Sequence, residues 1–144
     1  MLTCHHVADY FLKRVSGEDA GDLMSNLKLQ KLAYYAQGLH LALYDTPLFP
    51  EPIEAWIHGP VVPDLYHRFK HFGSGAIEEI PDFDITQYTE EELEVLEEAY
   101  NVYAQFSAFK LRNMTHAESP WRTTPENQVI SQESMRQFFK TRLV

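Results

Sequence analysis

Apolar residues return every three or four positions through 27–44, at Leu29, Leu32, Ala36, Leu39 and Leu43, which places them on one stripe of an α-helix. The same stretch has no Pro and one Gly. Leu27, Tyr34 and Leu41 recur every seven residues and, turning about 100° per residue, fall on roughly the opposite side of the cylinder. A helix that is apolar around most of its girth belongs in the middle of a bundle. Its polar residues, Lys28, Gln30, Lys31 and Gln37, lie mostly in the first half, which predicts a central helix whose N-terminal end is open to partners. Ser25 or Asn26 is placed to cap that end by accepting from its free N–H groups. Asp45, Thr46 and Pro47 stop the helix at the other.

The flanking stretches follow the same logic. Val7, Tyr10, Phe11 and Val15 are helically spaced within 4–15, and the Gly, Asp and Ser content of 16–26 reads as a loop. Ile53, Ala55 and Ile57 alternate with Glu54, Trp56 and His58, a period of two that predicts one short strand over 53–58. Gly59 and Pro60 break it, Pro63 suits the first turn of a helix over 61–72, and Gly73-Ser74-Gly75 ends that helix. An irregular acidic connection follows, with a second short strand at 76–80 placed to pair with the first. Thr89 and Glu92 match a capping box, with Tyr88 stapling onto Leu93, ahead of a stripe of Leu93, Leu96, Tyr100 and Tyr103 broadened by Val95, Ala99 and Val102. Ser107 starts a further helix that must end near Ser119, because Pro120 disfavours a helical residue before it. The polar loop 122–130 precedes a last helix capped by Ser131. The sum is a mainly α, single-domain bundle spanning 1–144, with five or six helices around the central one and a small β element near 53–58.

Composition adds boundaries to this picture. A chain of 144 residues that is 44% hydrophobic can bury a substantial core in one domain. It has no apolar run of about 18 residues, and its N-terminus lacks the basic-then-apolar order of a secretory signal, so a cytoplasmic location with no membrane partner is expected. The lone Cys4 excludes an internal disulfide framework and a cysteine-rich zinc site. A net charge of −9 argues against nucleic acid as a partner. Ten of the 21 acidic residues lie between Lys70 and Lys110, where no Lys or Arg occurs. That face is either a solvated helix surface or a landing surface for a basic partner.

Few residues are arranged for chemistry. His67 and His71 have metal-ligand spacing but lack a third ligand in sequence, and Cys4-His5-His6 places neighbours that diverge on a helix. P-loop, GxGxxG, GxSxG and HExxH signatures are all missing. His58 and His116, the latter near Glu118, form a candidate acid/base pair, set against the simpler reading of turn histidines bonded to backbone. Lys28, Lys31 and Tyr35, with Tyr34 one step round, make a small basic and aromatic patch, or else lysines snorkelling over a bundle edge. Neither an enzyme, a cofactor nor a metal is expected.

Three blocks in order, LKLQKLAYYAQG, PLFPEPIEAWIHGPVVPDLY and LRNMTHAESPW, resemble the Panacea domain of SocA-like antitoxins, a family that includes phage-associated GepA-type proteins. The resemblance runs from about His5 to Phe139. The matching positions are Leu29, Gln30, Lys31, Leu32 and Tyr34, then Ala55, Trp56, Gly59, Pro60, Val61 and Tyr66, and finally His116, Pro120 and Trp121. Packing explains Leu29, Leu32, Ala55 and Val61, and backbone geometry explains Gly59, Pro60 and Pro120.

The resemblance implies a cytoplasmic, non-catalytic antitoxin that neutralises a protein toxin by direct binding. The toxin is expected from a neighbouring gene, and delivery of the toxin to a ClpXP-type protease is a variant of that role. The alternatives are a phage-encoded protein that binds a host factor, and a His-dependent enzyme or metal protein. The chain begins almost at its first helix, so no added DNA-binding module is expected. Tryptophans are large, low-entropy interface anchors. A partner-binding groove is therefore expected among Trp56, Tyr66, His116 and Trp121 together with Lys28, Gln30, Lys31 and Tyr34 at the start of the central helix. The competing reading has each Trp buried, its N–H held by a backbone carbonyl.

Overall fold

The computed structural model of the protein describes residues 1–16, 24–79 and 81–143. Its helices are α1 (Cys4–Ser16), α2 (Asn26–Tyr44), α3 (Pro63–Phe69), α4 (Glu90–Tyr103), α5 (Ala108–His116), α6 (Ser119–Arg122) and α7 (Gln132–Lys140). A hairpin of β1 (Glu54–Trp56) and β2 (Gly59–Val61) and two 3-10 turns, Lys70–Phe72 and Ile85–Gln87, complete the described elements. The fold is mainly α with a small β element, built from seven described helices where the periodicity gives five or six.

α2 is the centre. The Ser25 hydroxyl accepts from the Lys28 N–H at 3.2 Å and so satisfies one of the donors left free at a helix start. Asp45 ends the helix in the left-handed region at φ 60, with its N–H returned to the Leu41 carbonyl. Every residue from Lys28 to Ala42 is buried, and α1, α3, α4, α5, α7 and β2 all pack against it. The tightest approach is to α7. A Cβ at Gly38 would lie 2.1 Å from the Phe139 ring, so only glycine lets the two helices come this near.

The burial extends to the polar residues of α2, which corrects the expected open N-terminal end. An unpaired buried polar group costs about 1–3 kcal/mol, and α2 pairs its own with distant backbone. Gln37 illustrates the rule: its amide N–H donates to the Phe49 carbonyl at 2.8 Å and its oxygen accepts from the Leu48 N–H at 2.7 Å. His40 Nδ1 lies 2.6 Å from the Thr46 carbonyl. Together they fasten 46–49 back onto the end of the helix.

α4 begins as its sequence predicts, with Thr89 and Glu92 forming both bonds of the capping box. Its buried face centres on Val95, Leu96, Ala99 and Tyr100, while Leu93 and Tyr103 sit at the margin and Val102 is exposed. Glu97 reaches α1, where Arg14 and Tyr10 both donate to it and hold its carboxyl down to about 2, with burial opposing. Pro63 occupies the first turn of α3, and Gly73, at φ 60, ends the 3-10 turn that follows it.

Two parts of the β reading change. A turn at Ile57-His58 brings the chain straight back, so Gly59 and Pro60 are not breakers but the start of β2, paired with Trp56 and Ala55. Ala76 does not join β1; it bridges Ser25, and the Ile77 N–H donates to the Met24 carbonyl at 2.8 Å. The free side of β1 is taken by the segment before α7: Ala55 donates to the Gln128 carbonyl at 2.9 Å, and Ile130 donates to that of Ile53 at 2.8 Å. Ile80, the end of the expected second strand, and 17–23 of the expected loop lie outside the described residues. Helix α5 ends at His116, earlier than Ser119. Pro120 then lies in the first turn of α6, where its missing N–H breaks no bond, so Trp121 sits on a helical turn and not in a loop.

Candidate functional site

The hairpin, α3 and the α5–α6 corner meet over the N-terminal half of α2, and four of the expected site residues come together there. The Trp121 indole N–H donates to the Trp56 carbonyl at 2.7 Å. The His116 ring stacks on a face of that indole at 4.0 Å and 11°. Trp56 meets Tyr66 edge-on at 4.9 Å and directs its own N–H to Glu54 at 2.9 Å. All four side chains remain partly exposed, so each Trp combines the two readings: its N–H is satisfied while its ring still lines the surface. Trp56 and Trp121, with Ile57, Arg122, Thr124 and Glu126, border an open groove of about 300 Å³.

The other four expected contact residues lie beneath this surface. Lys31 is fully buried under the hairpin and donates to the Pro60 carbonyl at 3.0 Å. Burial, with Arg112 adding repulsion, pushes its pKa down to about 7. Gln30 accepts from the Val62 N–H at 2.8 Å and donates to Asn26, fixing the entrance to α3. Lys28 donates to the Ala104 carbonyl at 2.6 Å. Tyr34 and Tyr35 donate to the two oxygens of Glu118 at 3.0 and 2.9 Å. Burial nevertheless pushes Glu118 up to about 7 against those two hydrogen bonds, and it raises the Tyr34 hydroxyl as well. Gln30, Lys31 and Tyr34 thus hold the elements of the aromatic surface in place from below, and Lys28 ties α2 to the end of α4.

Gly59 is required at the hinge of this assembly for two reasons. Its φ of +110 suits no side chain, and a Cβ there would meet Lys31 Cε at 2.7 Å and Thr115 Oγ1 at 2.8 Å. Burial, with the nearby charges of Arg112 and Lys31, lowers the pKa of His116, and its Nε2 is buried without a hydrogen-bond partner among the described residues. Its partner in the expected acid/base pair, His58, is exposed and accepts from Arg112 at 3.3 Å. No carboxylate bonds to either ring among the described residues. His67 and His71 are both exposed and lie against Tyr66 and Phe72. Three possible metal ligands converge at Cys4, Glu51 and Asp64, where burial and the two carboxylates push the thiol up.

Two residues of this region escape sequence reasoning. Ile57 continues the apolar alternation of Ile53 and Ala55 in sequence, yet the hairpin turn places it outward, 64% exposed. Glu118 lies in the third family-like block and beside His116, but nothing local points to its pairing with Tyr34 and Tyr35, 84 and 83 residues away. No helix among the described residues is long and apolar enough to cross a membrane.

Residues 29–122 match the family described as Antitoxin SocA-like, Panacea domain. Antitoxin SocA of Caulobacter vibrioides (strain NA1000 / CB15N) is 40% identical over 67 residues, which make up 46% of this chain and 35% of that protein. The alignment thus spans about a third of the curated relative. No solved structure gives a significant match. The matched span contains α2 from Leu29 onward, the hairpin with Trp56, α3, and the α5–α6 corner with Trp121, and by that match the chain belongs to the SocA-like antitoxin family with a Panacea domain.

Proposed function

We propose that the chain, acting over 1–144 as one Panacea-like domain, is a non-catalytic antitoxin that neutralises a protein toxin by direct contact at the Trp56–Ile57–Trp121 groove. Family membership supports a toxin as the partner. The observation that carries the site is Ile57, a β-branched residue 64% exposed at the tip of a hairpin whose first strand is hydrogen-bonded on both sides. Covering such a side chain gains roughly 25 cal/mol per Å² of apolar surface. The surrounding rings are already fixed by Trp121–Trp56 and His116–Trp121 contacts, so little side-chain freedom is lost on docking. Gln30, Lys31 and Tyr34 act as supports of this surface, and Lys28 as a tie between α2 and α4, and not as contacts.

Co-expression with the product of the neighbouring gene tests the reading. Wild-type protein should rescue growth, and Ile57→Glu should not, although its thermal midpoint stays within about 2 °C of wild type, as expected for an exposed site. Rescue by Ile57→Glu removes the groove from the contact, and a harmless neighbour with no related toxin bound removes the antitoxin role. Delivery to a ClpXP-type protease is a variant of the same proposal. It requires the toxin's half-life to shorten only when that protease is present.

A further inference from the structure

A second groove opens at the far end of α2, about 18 Å along the helix from Lys31 at 1.5 Å per residue. It runs between Leu43 of α2 and the Glu94–Glu98–Val102 line of α4, is closed by Leu143, and encloses about 550 Å³. Leu43 is 47% exposed, Val102 37% and Leu143 39%, so three of the eight large exposed hydrophobic residues among those described gather in one place. A surface cluster of this kind marks a docking site more often than scattered exposure does.

The rim supplies the sign of the partner. Glu94 and Glu98 stand one turn apart on the same face of α4, and neither has an ion-pair or hydrogen-bonding partner among the described residues. Arg142, the cation in the groove wall, lies 4.8 Å over the Phe138 ring on α7. No Lys or Arg occurs between Lys70 and Lys110, so α4 itself brings no cation to this rim. Phosphate-bearing surfaces, whether membrane or nucleic acid, are repelled by such a rim. A second copy of the chain is also a poor occupant, because its one pair of Lys or Arg residues four apart, Arg136 and Lys140, is already bound to Asp45.

We propose that this groove binds a basic amphipathic helix of a partner protein, with the apolar stripe of that helix on Leu43, Val102 and Leu143 and cations four residues apart on Glu94 and Glu98. The geometry is that of a helix laid into a groove between two helices. It does not depend on the role of the Trp56–Trp121 groove, which lies toward the other end of α2.

The test uses the full chain and two labelled peptides about 15 residues long, one of Leu and Lys with the lysines four apart and the other with Glu in place of Lys. Fluorescence anisotropy should show the Lys peptide binding at least about tenfold more tightly, with the difference shrinking as salt rises. Glu94→Lys combined with Glu98→Lys should invert the preference, an outcome that misfolding does not produce. Leu43→Asn, which removes the apolar contact without adding charge, should weaken binding of the Lys peptide, while Ile57→Glu should leave it unchanged. Equal binding of the two peptides, a preference that survives the reversal, or loss of binding in Ile57→Glu overturns the proposal. So does a dimer in sedimentation that dissociates in the double reversal, because a second copy would then fill the groove.

Discussion

Lys31→Met isolates the energetic role of the buried lysine. In the fold its pKa falls from the ordinary 10.5 to about 7 because burial disfavours the ammonium. The unfolded chain keeps the ordinary value, so between these two limits unfolding takes up a proton. A depressed folded pKa means that this stabilising contribution is fully present above about 10.5 and is lost as pH falls through about 7. At about 1.4 kcal/mol for each tenfold change, linkage weighs against the fold by about 4 kcal/mol near pH 7 and about 2 kcal/mol near pH 9. Met has a similar length and no charge, but it leaves the Pro60 carbonyl without its donor, a loss of about 1–3 kcal/mol. The variant should therefore be more stable than wild type by roughly 1–3 kcal/mol near pH 7 and about equal to it near pH 9. Urea unfolding followed by circular dichroism at several pH values gives the difference, and subtracting the variant cancels groups common to both proteins. Staying below about pH 9 avoids tyrosine ionisation in the unfolded chain. A difference between the two proteins that stays constant across this range refutes the reasoning.

Glu118→Gln should flatten the opposite slope: burial raises the folded pKa of Glu118 from 4.5 to about 7, so its contribution is present below the lower value and lost as pH rises through the upper. Wild-type stability should fall by roughly 2 kcal/mol between about pH 5 and pH 7 relative to the variant, measured by the same unfolding series. Gly38→Ala should destabilise by about 1–3 kcal/mol through overpacking against the Phe139 ring, 2.1 Å from the new Cβ. Phe139→Leu in the same chain should cost less than the sum of the two single changes, which a double-mutant cycle reads directly. Thr89→Ala removes half of the α4 capping box and should cost about 1 kcal/mol, seen as a lower denaturation midpoint with an unchanged slope.

The features that the sequence foretells are those whose causes lie within a few residues. Ser25, Thr89, Ser107 and Ser131 cap helices α2, α4, α5 and α7 because a hydroxyl reaches an N–H three residues ahead. The Trp56–Trp121 meeting was also foreseeable, from large rings in blocks that resemble one family. What failed depends on distant partners. Lys28, Gln30 and Lys31 look like surface residues in a helical projection, yet their acceptors and donors are 76, 32 and 29 positions away, and nothing in local periodicity points to them. Gly59-Pro60 reads as a strand breaker by local preference, but pairing with Ala55 and Trp56 overrides that preference. Ile57 changes side for the same reason: alternation holds only as far as the turn, and the turn begins at Ile57, two residues earlier than the break at Gly59 that the pattern implies.

The buried polar side chains of α2 share a property that matters beyond stability. Lys28, Gln30, Lys31, Gln37 and His40 reach the main chain of Ala104, Val62, Pro60, Leu48, Phe49 and Thr46, and none of these contacts depends on what side chain those six positions carry. A scaffold held through peptide groups can keep its shape while the residues displayed on its loops are exchanged. Partner choice is thereby separated from folding at the hairpin tip, where Ile57 and His58 can be exchanged without renegotiating the connections underneath, whereas the α5–α6 corner must keep the Glu118 carboxylate for Tyr34 and Tyr35.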